Sequence, residues 1–311
     1  MISSDRSVTE YLIWDRDMYE QFYGLREKPF SLLPDAEFLY LSTRHRRALS
    51  LLDYGIAARA GFVVITGEVG TGKTTILRRF LRKTDASLTV GLVTNASAAH
   101  QGMLDWVSTA FELGHQGRDH ITLYNQFVDF LIAQYSAGKR TVLVVDEAQN
   151  LTVQMLEDLR MLSNVNNEKD ALLQIVLVGQ PELLATLNRP ELRQFAQRIS
   201  VHYHLEPLGA TETVAYIRHR LGVVGGAPTL FDDDACVAIH YFSGGVPRLT
   251  NLLCDLALTY GFADGANPVS IDIVIDVAMD RNQSGLTAFR AIPDTLDRDG
   301  VKALISQSLT N

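Results

Sequence analysis

Cysteine is nearly absent: Cys236 and Cys254 are the two in 311 residues. They stand eighteen positions apart, with no C-x-x-C pair and no histidine at ligand spacing. A disulfide scaffold and a zinc module are thereby excluded, and the two read as buried apolar residues of a reduced, cytoplasmic chain. Long apolar runs are missing too. No stretch of about 18 uncharged apolar residues occurs, and the opening "MISSDRSVTEYLIWDRD" is acidic without an apolar signal core, so a membrane role, peripheral at an inner membrane, would run through partners. An excess of positive charge is lacking as well: 28 Lys+Arg against 36 Asp+Glu give a formal charge of −8. That balance argues against an overall basic nucleic-acid binder, although a local basic patch remains open. No internal repeat and no low-complexity tract appear. What is present is 47% hydrophobic content, enough for one main domain and a smaller one.

From Gly61 onward, short continuous apolar runs alternate with longer amphipathic ones, the pattern of strands buried on both faces by helices. The strands are "GFVVIT" (61–66), "LTVGLVTN" (88–95), "TVLVVD" (141–146), "LLQIVLVG" (172–179) and "ISVHYHL" (199–205). Helical stretches are expected near 73–84, 99–112, 121–137, 152–166 and 181–197. The fold class is therefore α/β, a five-stranded parallel sheet covered by helices over residues 61–207. Residues 208–284 hold four helical segments separated by Gly, Pro and Asp-rich breaks and form a small all-helical domain. Ahead of the sheet, a tail (1–17) leads into an aromatic-rich arm (18–60). The arm reads as irregular chain packed by its aromatics, or as a wall for a bound base. The C-terminal tail (285–311) has weak periodicity and reads as flexible or as a docking segment.

Chemistry concentrates at two strand ends. Gly67-Glu68-Val69-Gly70-Thr71-Gly72-Lys73-Thr74, followed by Thr75, fits G-x-x-x-x-G-K-[ST] between a strand and a helix. The glycines let backbone N–H groups turn inward around phosphate oxygens, and the following helix presents its positive dipole end to the same anion. Lys73 can reach β- and γ-phosphates, and the Thr74 hydroxyl can ligate Mg²⁺. The second strand end, "VLVVDEAQN", places Asp146 to complete the magnesium shell and Glu147 to polarise an attacking water. Gln180, at the end of "LQIVLVGQ", orients that water or touches the γ-phosphate, or is simply the turn residue before Pro181. Asn95 is either a holder of Glu147 in an inactive rotamer or a plain turn residue.

Arginines bear on whether one subunit suffices. Arg189, Arg193 and Arg198 lie on and after the helix leading to the last strand, and Arg198 is the first candidate to reach a neighbour's γ-phosphate; each is also a plausible solvated helix residue. Arg248 follows Pro247 at a helix start, where a cation opposes the helix dipole unless an anion such as nucleotide lies nearby.

In this order, Gly67–Thr74, Asp146–Glu147, Gln180, Arg198 and "GVPR" (245–248) resemble the AAA-type ATPases over about residues 18–284. More narrowly, "MYEQFYGLREKPFSLLPDAEFLYLS", "VVDEAQNL" and "VGQPEL" are similar to the bacterial ATPases of the general secretion pathway protein A group and those found with exopolysaccharide export and exosortase systems. The resemblance implies ATP and Mg²⁺ as cofactors, Mg²⁺-dependent ATP hydrolysis, a helical lid, subunits in a ring or arc with sites at their interfaces, and protein partners in envelope export. Secretion proteins of this kind continue into a membrane span and a peptidoglycan-binding part that this sequence does not show. The same core resembles ATP-dependent DNA-binding regulators of transposition. For that alternative, "RHRR" (44–47) and Arg78, Arg79, Arg82 and Lys83 offer a basic stripe. A nucleotide-gated scaffold with little turnover is the third possibility.

Overall fold

The computed structural model describes residues 18–32, 37–83, 85–94, 96, 102–114, 119–165, 171–285, 288–293 and 295–308. In chain order its elements are α1 (Met18–Tyr23), α2 (Thr43–Ala57), β1 (Phe62–Gly67), α3 (Lys73–Lys83), β2 (Leu88–Thr94), α4 (Met103–Ala110), α5 (His120–Ser136), β3 (Arg140–Asp146) and α6 (Val153–Leu162). They continue with β4 (Leu173–Gly179), α7 (Glu182–Leu187), α8 (Arg193–Ala196), β5 (Ile199–Leu205), α9 (Ala210–Val223), α10 (Asp233–Ser243), α11 (Pro247–Ala263), α12 (Ile271–Gln283) and α13 (Arg298–Ser308). The chain divides into an α/β unit, Leu41–Glu206, and a helical unit made of the segment up to Tyr40 and everything from Pro207.

In the α/β unit the strands run parallel in the order β2-β3-β4-β1-β5. Every residue of β1 and β4 is buried, as a strand covered on both faces requires. Alternation then sorts the side chains by face. Val63, Ile65, Val142, Val144, Val176 and Val178 pack with α2 and α3, whereas Phe62, Val64, Leu143, Val145, Ile175 and Leu177 pack under α4–α8. The sequence-expected strands agree with the observed ones to within one residue at each end. The helix expected over 181–197 is broken into α7, a 3-10 turn at Pro190–Leu192, and α8. Pro190 cannot donate the hydrogen bond a continuous helix would need there.

The arm expected over 18–60 is not one segment. Its second half forms α2, which belongs to the α/β unit. Ser42 caps that helix by accepting from the backbone N–H of His45, and Ala48, Leu49, Leu52 and Ile56 make its buried face. The first half joins the helical unit, where Tyr19, Tyr23, Leu25, Phe30 and Phe38 share one core with α9–α12. Residues 33–36, inside the arm, lie outside the described residues, as does the tail 1–17. The C-terminal tail also contributes: Phe289, Ile292, Val301 and Ile305 are buried in the same core, the last two on α13. Both cysteines are buried there as free thiols, and burial pushes Cys236 up to about 11 and Cys254 well above its ordinary range. Among the described residues no helix is long and apolar enough to cross a membrane.

Candidate active site

Strand order determines where the chemistry gathers. β1 lies between β4 and β5, with β3 on the far side of β4, and all run parallel, so the residues after β1, β3 and β4 gather at one carboxyl edge of the sheet. Ligands of open α/β sheets bind at this edge. Gly67 ends β1, Glu68 to Gly72 form the loop, and Lys73, Thr74 and Thr75 begin α3. The loop needs glycine at position 72 twice over. Its φ of +100° suits glycine alone, and an added Cβ would lie 2.6 Å from Nε2 of His45. Val69 projects at the loop's surface, and Thr71 is buried with its hydroxyl donating to the carbonyl of Glu68 at 2.8 Å.

Lys73 is 8% exposed and turns back on its own loop, donating to the carbonyls of Gly67 at 2.7 Å and Glu68 at 3.0 Å. Burial lowers its pKa. Among the acids that oppose this shift, Glu147 acts most strongly, ahead of Asp146, Glu68 and Glu182. The Thr74 hydroxyl donates to Oδ2 of Asp146 at 3.3 Å, and Oδ1 accepts from the N–H of Glu147 at 3.0 Å. Asp146 is 6% exposed, and burial raises its pKa despite those two donors. A hydroxyl and a carboxylate converging beside a phosphate loop are hard oxygen donors that suit Mg²⁺, which takes one or two protein ligands plus phosphates and water. No cluster of three or more His, Cys, Asp or Glu capable of holding a metal is found among the described residues.

Glu147 adopts a left-handed backbone, φ +55°, directly after β3, and Gln180 follows β4 at the same edge. Arg198 is half-buried, its Nη1 donating to the Ser163 hydroxyl at 3.0 Å within its own chain, whereas Arg189 and Arg193 are exposed. Arg248 is exposed in the first turn of α11, in the helical unit. Asn95 lies outside the described residues.

Two residues of this site escaped the sequence reading. His45, on α2, places Nε2 3.0 Å from the carbonyl of Thr71 and Nδ1 2.7 Å from the Ser42 hydroxyl. A carbonyl only accepts, so Nε2 carries the proton and Ser42 donates to Nδ1, which holds the loop from behind. Gln149 bonds to Glu147 and to the backbone of Gln180. Its one signal was its place in "DEAQN", next to the acids.

Comparison with known proteins agrees with this geometry. Residues 56–187 match the family described as AAA domain. The chain is 44% identical over 253 residues to general secretion pathway protein A of Aeromonas hydrophila, covering 81% of this chain and 46% of that protein. It thus spans about half the length of that curated relative. Similar solved structures include the Aeropyrum pernix ORC2 protein in its ADPNP-ADP complexes, with TM-score 0.59, 16% identity, and coverage of 87% of this chain and 75% of that one. Drosophila ORC bound to DNA gives TM-score 0.61 and 13% identity, covering 91% of this chain and 72% of that one. At such identities the likeness is one of fold. With its glycine loop, Asp-Glu strand end and five-stranded sheet, the chain is an AAA-type ATPase of the P-loop fold, similar to general secretion pathway protein A over most of its own length.

Proposed function

We propose that this chain binds and hydrolyses ATP with Mg²⁺, and that hydrolysis energises or assembles a bacterial cell-envelope secretion or exopolysaccharide-export system through protein partners. The observation that carries the catalytic half is the convergence of Thr74, Asp146 and Glu147 beside the loop of Lys73. The loop amides from Glu68 to Thr75 receive the phosphates, and Lys73 exchanges its two carbonyls for phosphate oxygens. Thr74 and Asp146 would hold Mg²⁺, which when bound neutralises phosphate charge. Glu147 polarises the water, and Gln180 orients it. Arg198 is assigned to a neighbour's γ-phosphate within a ring or arc, for which it must leave Ser163; Arg193 is the next candidate. Arg248 is assigned to sensing bound nucleotide. The envelope half is supported by the likeness to general secretion pathway protein A, and with it goes our assignment of the protein to the cytoplasm, peripheral at the inner membrane through partners.

One observation favours a second reading, a DNA-binding transposition regulator. Arg46 and Arg47 on α2 and Arg78, Arg79, Arg82 and Lys83 on α3 are exposed, and both helices pack on one face of the sheet. The net charge of −8 ranks it second. ATP turnover measured with and without duplex DNA, across a salt series, separates the two. The envelope reading expects no response to DNA and no gel shift at physiological salt. Tight, ATP-dependent binding with a steep salt dependence would promote the DNA reading.

A further inference from the structure

Gln149 has no part in the scheme above, yet it touches two of its elements. We propose that Gln149 is a positioning residue, which fixes the carboxylate of Glu147 by tying it to the end of β4. The proposal rests on the reading of Glu147 as the residue that polarises water.

The side-chain amide bridges two partners: Nε2 donates to Oε2 of Glu147 at 2.6 Å, and Oε1 accepts from the backbone N–H of Gln180 at 2.9 Å. Chemistry fixes this orientation. A backbone N–H only donates, so the amide oxygen must face Gln180, and the NH₂ is left for the carboxylate, which only accepts. The bond to Glu147 is charge-assisted and short, hence among the stronger kind. Space at the strand end is shaped for this amide: a Cβ on Gly179 would stand 3.0 Å from Oε1 and 3.2 Å from the backbone N of Gln149. Glu147 needs such a holder because its left-handed backbone, fixed by the N–H bond to Asp146, leaves the side chain's own torsions free. A bound phosphate that shifts Gln180 would move the amide, and with it Glu147, so the bridge links the ends of β3 and β4.

The test is steady-state ATP hydrolysis by the full chain, with affinity for a fluorescent ATP analogue and Tm measured alongside. Gln149→Ala should keep nucleotide affinity and KM while kcat falls about tenfold, less than the about 10²–10⁴-fold that a general base supplies. Gln149→Glu keeps the shape and the bond from Gln180 but puts a like charge beside Glu147. It should lower kcat while nucleotide affinity, KM and Tm hold, a split that a purely structural role would not give. In a Glu147→Gln background, Gln149→Ala should have no further effect, because its action runs through the carboxylate. Wild-type kcat in Gln149→Ala while Glu147→Gln is slow would overturn the inference, and so would an equal loss in both backgrounds. Wild-type turnover in Glu147→Gln itself would instead sink the reading on which it rests.

Discussion

Among the described residues each unit buries one lysine or arginine that donates to main-chain carbonyls, Lys73 and Arg220, and the two do opposite work. Lys73, 8% exposed, gives its protons to Gly67 and Glu68 of its own loop. Arg220, 6% exposed on α9, donates to the carbonyls of Pro29 and Ser31 and to the Tyr216 hydroxyl, with its guanidinium 4.6 Å from the centre of the Phe38 ring. Arg220 therefore joins a distant N-terminal segment to the helical core with a planar group whose donors are spread over several acceptors. Lys73 joins nothing that is not already adjacent in sequence. Its bonds are local and its charge is disfavoured by burial, so a phosphate offers it a better partner. Burial with long-range bonds marks a structural cation, and burial with local bonds beside two carboxylates marks one that waits for a ligand.

Replacing each cation would break the comparison if it is wrong. Lys73→Ala should weaken nucleotide binding at least about 100-fold, the loss of a charge-assisted contact to phosphate with a desolvated partner. Its Tm should stay within about 2 °C of wild type, since no distant segment depends on it. Titration of a fluorescent ATP analogue with a thermal melt checks both. Affinity unchanged would reject the loop assignment.

Arg220→Ala is the mirror image, acting on the melt rather than on binding. Three acceptors lose their donor, at a cost of about 3 kcal/mol, which lowers Tm by roughly 6–12 °C in a unit of this size. Nucleotide affinity below the melt should not change. A melt at the wild-type temperature would mean that the N-terminal segment is held by its aromatics alone.

Much of the α/β unit was legible in the sequence because its signals are local. Short, β-branched apolar runs bounded by glycine, such as "FVVITG", read as strands buried on both faces, and glycine at 67, 70 and 72 before Lys73 marks a phosphate loop without tertiary context. What stayed hidden depends on the chain returning to itself. His45 supports a loop 26 residues later from a helix whose basic start, "TRHRR", masks its apolar spacing. Gln149 acquires its partners through the left-handed turn at Glu147, which no propensity scale shows. The tail's apolar residues, Phe289, Ile292, Val301 and Ile305, are too widely spaced to form one periodic face, and they become a set once they meet the core of α9–α12. Asp146 and Thr74, both read from sequence toward one metal, lie in hydrogen-bond contact because each ends or begins an element at the same sheet edge.

On the proposed function, binding and hydrolysis are separate tasks of this edge, with Lys73 serving the first and Glu147 the second. Glu147→Gln tests it most directly, measured for ATP affinity and for phosphate release in the same preparation. The amide keeps the size and can still accept from Gln149, but it polarises water poorly. The account predicts wild-type affinity with turnover reduced by about 10²-fold or more. Turnover at the wild-type rate with affinity intact would contradict it.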